Sequence, residues 1–495
     1  PLRLVGSEMC IRDRTHPVPF ESNEIITSLI DKDGHIWLAP YHQGVKCYDR
    51  QGKLLHSYHT GNSLLQTNVV LSLAENNGQI WIGTDGSGIY ILNPENDEIS
   101  TIAHAPGNPY SLPVNSILCL YSDSNNNMWA GSVRGGLINI REVGMKIYSD
   151  ALPGTEYGLS EKAVLSIYQG EEKDIWIGTD GGGINRFYPD DNRFYHTKST
   201  WGDKISSITE VDKRHLLVSL FSKGLFFFDK QTEEYRPLII VNDSINALLC
   251  QRGKAVNVFR NSQETVLLLS EIPYSYHIEK KEFTPISLDK HTPTIIGTVL
   301  PICQNGPISY LHDIKCIYQI DSRTNRLETL YHCTGDTIFN TVSVDENGIF
   351  WIGSNYGLSR YSAEKHEHVN IPNKLINEIN SLICDRRGRV WIGTDGKLFA
   401  HLIHEGEFIL YGESDGVIQN EYLEKPRLLS AEGDIYMGGV NGLLCIDKQL
   451  PDEDTVPPVL ELADVAVGGE RMNAFIKNGR SLPVQEHSKP ISIKI

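Results

Sequence analysis

The stretch Trp176-Ile177-Gly178-Thr179-Asp180-Gly181-Gly182-Gly183-Ile184-Asn185 decides how the rest of the chain is read. A short apolar run ending in glycine, a cluster of Asp and Gly, and a second apolar run describe two short strands joined by a tight turn. The pattern returns at Trp81-Ile82-Gly83-Thr84-Asp85-Gly86, Trp351-Ile352-Gly353-Ser354 and Trp391-Ile392-Gly393-Thr394-Asp395-Gly396, with a looser form at Ile36-Trp37-Leu38. Extended in both directions the unit becomes I-x-S-L-x-x-D-x-x-G-x-I-W-I-G-T-x-x-G-G-L-x-x-Y-D. Self-similarity at a fixed period is the signature of a repeat architecture.

Clear copies occupy 26–49, 70–94, 117–140, 164–189, 340–361 and 379–400, with tryptophans at Trp37, Trp81, Trp129, Trp176, Trp351 and Trp391. Two more, 205–230 and 432–447, place Leu217 and Tyr436 where the tryptophan stands. Neighbouring copies are 40–48 residues apart, and the interval from Leu217 to Trp351 is three periods of about 45. Two degenerate copies are therefore expected there, at 245–270 and 295–321, making ten. Each unit alternates at I-x-S-L, runs apolar at I-W-I-G-T, alternates again at G-L-x-x-Y-D and ends in a looser strand such as Phe194-Tyr195-His196-Thr197. Four short strands per unit predict an all-β chain of β-propeller blades. D-x-x-G supplies the first hairpin turn and T-D-G-G-G the second.

Trp176 to Asn185, preceded by Gly158-Leu159-Ser160-Glu161-Lys162, resembles the regulator-propeller repeat of hybrid two-component sensors from Bacteroidetes. The ending Gly438-Gly439-Val440-Asn441-Gly442-Leu443, then Pro457-Pro458-Val459-Leu460, resembles the join between a last blade and the immunoglobulin-like domain of those sensors. The resemblance implies fourteen blades in two seven-bladed propellers outside the cytoplasm, then the sandwich, a membrane span, a histidine kinase and a response regulator. Ten units and no kinase imply a fragment. Counting back from the last unit gives 15–144 as three blades of a truncated N-terminal propeller, 145–455 as a seven-bladed propeller and 456–495 as the start of the sandwich. Residues 1–14 show neither strand nor helix periodicity and are expected to be a non-native tail. The tenth unit lacks a fourth strand, while Met145-Lys146-Ile147-Tyr148-Ser149-Asp150 has the alternation of one. The two are expected to pair and close the ring, since an open sheet edge invites aggregation.

The resemblance further implies a periplasmic ectodomain, anchored through a C-terminal segment outside this sequence. It would sense a glycan-derived oligosaccharide, signal to the kinase as a homodimer through the sandwich, and control polysaccharide-utilisation genes. A propeller scaffold for protein partners is the alternative, with a propeller lyase or glycoside hydrolase behind it. The 495 residues hold 45 Lys+Arg against 62 Asp+Glu, a net charge of −17, which disfavours nucleic acid contact. Nine scattered cysteines show no metal-ligand spacing and read as core residues, so no metal or cofactor is expected. No catalytic motif or isolated carboxylate pair stands out, and no enzymatic activity is expected of this region. The repeated tryptophans read as filling between blades. Ligand contacts are sought instead in loops expected to share one face. After the second strand these offer Asp85, Arg134, Asp180, Lys223, Tyr356 and Asp395; before the inner strand they offer Asn68, Asn115 and Asn377. Carboxylates and amides suit paired sugar hydroxyls, and Tyr356 suits a ring face.

Overall fold

A computed structural model describes residues 24–450, apart from 109, 125, 141–143, 239–255, 271, 290–292, 294, 296 and 413–414, together with strands at Asp464–Val467, Glu470–Arg471 and Ile491–Lys494. The residues of the expected non-native tail lie outside the described part. The chain divides into a unit ending at Lys448 and a second from Gln449 onward. In the second, Asp464–Val467 pairs antiparallel with both Glu470–Arg471 and Ile491–Lys494.

The first unit is a succession of small antiparallel sheets, here called blades 1 to 10. Blades 1 (25–58), 2 (70–102) and 3 (117–140) come first, the last with three strands among the described residues. Blades 4 (164–196), 5 (205–237), 6 (257–285), 7 (300–332), 8 (339–371) and 9 (381–411) follow, and blade 10 (422–446) ends the series. Blade 7 gains a fifth strand, Ser287–Leu288, by parallel pairing with Arg326–His332. Blade 10 takes its fourth strand from far upstream. Met145–Tyr148 pairs antiparallel with Gly442–Ile446, Met145 opposite Ile446 and Tyr148 opposite Leu443, as the sequence had led us to expect. The inner strands of blades 4 to 10 then neighbour one another in a closed cycle, blade 10 returning to blade 4.

The free edge of Met145–Tyr148 is covered too. Tyr110 Oη accepts from Ile147 N at 2.6 Å, so by strand alternation Lys146 faces blade 10. Lys146→Pro removes that ladder donor and leaves its acceptor on blade 10 unmet, at a cost of about 1–3 kcal/mol. It is expected to lower the melting temperature and make the 141–150 segment sensitive to limited proteolysis; an unchanged melt would argue against closure through this strand.

The repeat letters have separate jobs. Three of the repeated tryptophans show the inter-blade packing: Trp37 clusters with Val70 and Leu73, Trp176 with Ile205 and Phe228, and Trp351 with Ile379 and Leu382. In the first turns, Asp31, Asp123, Asp345 and Asp385 each accept the indole N–H six residues later, at 2.8–3.1 Å. Where Glu75 or Gly170 replaces that Asp, the indole N–H of Trp81 or Trp176 is buried without a partner among the described residues. The serine of I-x-S-L joins blades: Ser166 Oγ donates to Ile205 O at 2.9 Å, and Ser207 Oγ accepts from Val258 N at 3.0 Å. The glycine of W-I-G makes room for the next blade. A Cβ on Gly178 would lie 2.6 Å from Ile205 O and 2.3 Å from Ser166 Oγ. The threonine then ties the second turn, Thr179 Oγ1 donating to Gly183 O at 2.9 Å.

Two expectations need correction. The copy placed at 245–270 begins outside the described residues, and its described strands are Asn257–Arg260, Thr265–Leu269, Tyr274–His277 and Glu282–Pro285. Its first turn has no Asp-Gly signal to set the phase, because Ser262 Oγ instead accepts from Glu264 N and Thr265 N. Trp129 is only half-buried. The face it shares with Tyr121 and Leu137, 66% and 71% exposed, carries no following blade, since the next strand crosses to blade 10. At the other end, Ile26 and Ile30 of blade 1 are 48% and 69% exposed.

Candidate functional site

The loop after the second strand meets the segment entering an inner strand in blade after blade. Asp85 N donates to Val69 O, Asp180 N to Ala163 O, Asn355 N to Ile338 O and Val440 N to Glu421 O. The two loop classes therefore share one end of each blade.

Several of the expected ligand residues are already engaged there. Asn68 accepts from Thr60 N and donates to Thr60 Oγ1, and Asn115 Oδ1 accepts from His104 N at 2.6 Å. Asp85 accepts from the Ser116 hydroxyl at 2.7 Å. Asp180 pairs with Lys204 at 2.6 Å, and Lys223 pairs with Asp203, which also accepts from Tyr235 Oη. These four charges lie at the junction of blades 4 and 5. Arg134, Tyr356, Asp395 and Asn377 are exposed. Arg134 and Asn377 sit on blade 3 and at the entry to blade 9, so the nine residues do not form one cluster.

Tyr356 has a built setting. It is 69% exposed on the rim of a groove of about 660 Å³ on blade 8, which the connections from blade 7 and toward blade 9 flank. Asn370, Asn373, Lys374 and Thr337 supply polar walls, and Ile376, next to Asn377, closes one side. Beneath, Tyr331 stacks on Tyr361 and His368 with ring centroids 4.4 and 5.3 Å apart. Burial pushes His368 below the ordinary imidazole range, which keeps that stack neutral near pH 7.

A second cavity, of about 680 Å³, was not foreseen. It runs between the inner strands of blades 4 to 10 and reaches the first turns, as at Ser262 and Gln263. Its charged lining residues are Arg260, Glu424, Lys425 and Arg427. Arg427 donates to Val342 O at 2.6 Å and Leu382 O at 2.9 Å, tying blade 10 to blades 8 and 9. Burial raises Glu424 to about 7 against the smaller lowering by Arg427 and Lys425. The sequence signal was present: Tyr422-Leu423-Glu424-Lys425-Pro426-Arg427 puts charges and a proline where I-x-S-L belongs.

Asp31, Asp33 and His35 bring potential metal-ligating atoms within 4.8 Å of one another. Asp31 is already the turn cap, accepting from Asp33 N, His35 N and Trp37 Nε1. Cys47, Cys316, Cys333 and Cys384 are buried and Cys303 and Cys445 half-buried, whereas Cys119 is exposed on the open face of blade 3. No helix among the described residues is long and apolar enough to cross a membrane.

The two component regulator propeller family model matches residues 63–86, 111–134 and 374–396, which enter blades 2, 3 and 9. Over 114 residues, 22% of this chain, the sequence is 28% identical to Histidine kinase P4 of Formosa agariphila, of which that match spans 8%. The extracellular domain of the hybrid two component system BT3049 from B. thetaiotaomicron superposes with a TM-score of 0.64 at 18% identity, over 94% of this chain and 62% of that one. That of BT4673 gives 0.47 at 18% identity, over 92% and 63%. This chain thus spans less than two thirds of the proteins it resembles. Three of its repeats match the two component regulator propeller model, and its fold is similar to that of a hybrid two component system's extracellular domain.

Proposed function

We propose that this chain is the ligand-sensing, periplasmic part of a membrane hybrid two-component histidine kinase, that it binds a glycan-derived oligosaccharide, and that binding controls polysaccharide-utilisation genes through the kinase. Blades 1 to 3 are read as the tail of a first propeller, a reading supported by the exposed apolar faces at both of their ends. Residues 456–495 are read as the start of a sandwich that dimerises and passes the signal onward.

The observation that carries the ligand reading is the groove under Tyr356. An aromatic ring 69% exposed beside amides and a lysine offers a stacking platform with hydrogen-bonding walls, the arrangement a sugar ring requires. Titration calorimetry of the intact chain with an oligosaccharide panel is expected to find a ligand, and Tyr356→Ala to weaken it by about tenfold or more, with the melting temperature unchanged. Sugar products accumulating during incubation would replace the sensor with an enzyme. A panel without heat, alongside capture of a defined protein partner, would favour the scaffold.

A further inference from the structure

The strand Tyr422–Leu429 departs from its counterparts in the ring. In blades 4, 5, 7 and 8 the inner strand carries a single-residue irregularity, such as Val164/Ser166 opposite Thr179/Gly178. In blade 10, Tyr422 faces Gly439 and Arg427 faces Met437, so five steps on one strand oppose two on its neighbour. Of the residues in this enlarged stretch, Glu424 and Lys425 line the central channel. Bulges of this kind re-aim side chains, often beside functional sites.

The enlarged bulge is held at its C-terminal end. Pro426 packs against Gly438, where a Cβ would lie 2.7 Å from the proline Cβ, and Arg427 is anchored on Val342 O and Leu382 O. Just before them stand Glu424 and Lys425. Neither side chain has a hydrogen-bond partner among the described residues, and Lys425 is exposed along the channel wall. Arg260, on the opposite side of the cycle, is fixed by donating to Ser262 O at 3.1 Å. The channel therefore collects three cations against one carboxyl, inside a chain whose net charge is −17.

We propose that the central channel of blades 4 to 10 is a second binding site, for a small hydroxylated organic carboxylate of about monosaccharide size, with the Lys425 ammonium as its anion partner. An anion in the channel exchanges lost hydration for a charge-assisted hydrogen bond. Glu424, beside Lys425, opposes the anion and is its selectivity filter against tighter, multiply charged ligands.

The test is titration calorimetry of the intact chain with D-glucuronate and, at matched ionic strength, D-glucose. Glucuronate is expected to bind at least about tenfold more tightly, Lys425→Gln to lose at least about tenfold, and Glu424→Gln to bind as well or better. Melting temperatures of both variants show that the ring is intact, and Tyr356→Ala leaves this binding unchanged. The proposal is overturned by absence of glucuronate binding, equal affinity for glucose, indifference to Lys425→Gln, loss on Glu424→Gln, or loss on Tyr356→Ala, the last of which would assign the ligand to the loop groove.

Discussion

Asp385→Ala is expected to cost about 3–5 kcal/mol and to lower the melting temperature by roughly 10 °C, the largest single-residue effect among the turn positions. Asp385 Oδ1 accepts from Arg387 N and Arg389 N at 2.8 and 2.9 Å, while Oδ2 accepts from Trp391 Nε1 at 3.1 Å and from Arg389 Nε at 2.6 Å. The side chains of the ion pair are only 4% and 10% exposed, and the Arg389 guanidinium lies 5.1 Å from the Trp391 ring centroid. Alanine therefore strands a buried cation and a buried indole N–H at once, and removing one partner of a buried pair costs far more than the pair contributes. Asp212 in blade 5 is the contrast. It also caps its turn, accepting from Arg214 N and His215 N at 2.8 Å, but it is exposed and Leu217 stands where the tryptophan would. Asp212→Ala should cost about 1 kcal/mol. Equal losses in thermal or urea melts would mean that the aspartate acts only as a turn former.

That contrast shows why so much of the fold was legible. Trp, Gly, Ser and Asp recur because one inter-blade geometry is built again and again, and each letter answers a local steric or hydrogen-bonding need. Legibility fails where another group meets the same need. Blade 6 makes its turn with Asn261 and Ser262, so the missing Asp-Gly pair shifts the apparent phase of its strands. The two loop classes meet at one end of the blades, but the sequence does not say that Lys204 neutralises Asp180, or that Asn68 and Asn115 are spent on backbone turns. Those partners belong to neighbouring segments, and no period links them. The channel was missed for the opposite reason: searching for the repeat passes over Glu424 and Lys425 because they break it, although a broken repeat is where a functional demand has overridden packing.

Gly178→Ala tests the spacing of the blades directly. The glycine lies on the strand Ile175–Thr179, so its need is for space rather than for an unusual dihedral. Its Cβ would sit 2.6 Å from the main-chain oxygen of Ile205 in blade 5, which no side-chain rotation relieves. Blade 5 must retreat, and in doing so it stretches the Ser166 Oγ to Ile205 O hydrogen bond and loosens Trp176 from Phe228, whose ring centroids are 5.9 Å apart. Overpacking costs about 1–3 kcal/mol and the lost hydrogen bond about 1 more, so a destabilisation of about 3 kcal/mol is expected in urea melts. Gly412→Ala, where a Cβ meets nothing within 4 Å, should stay within about 0.5 kcal/mol. Ser166→Ala combined with Gly178→Ala separates the two contacts. It removes the hydroxyl at 2.3 Å and leaves the carbonyl, so rescue should be partial; full rescue would show that the serine, and not the approach of the next blade, demands the glycine.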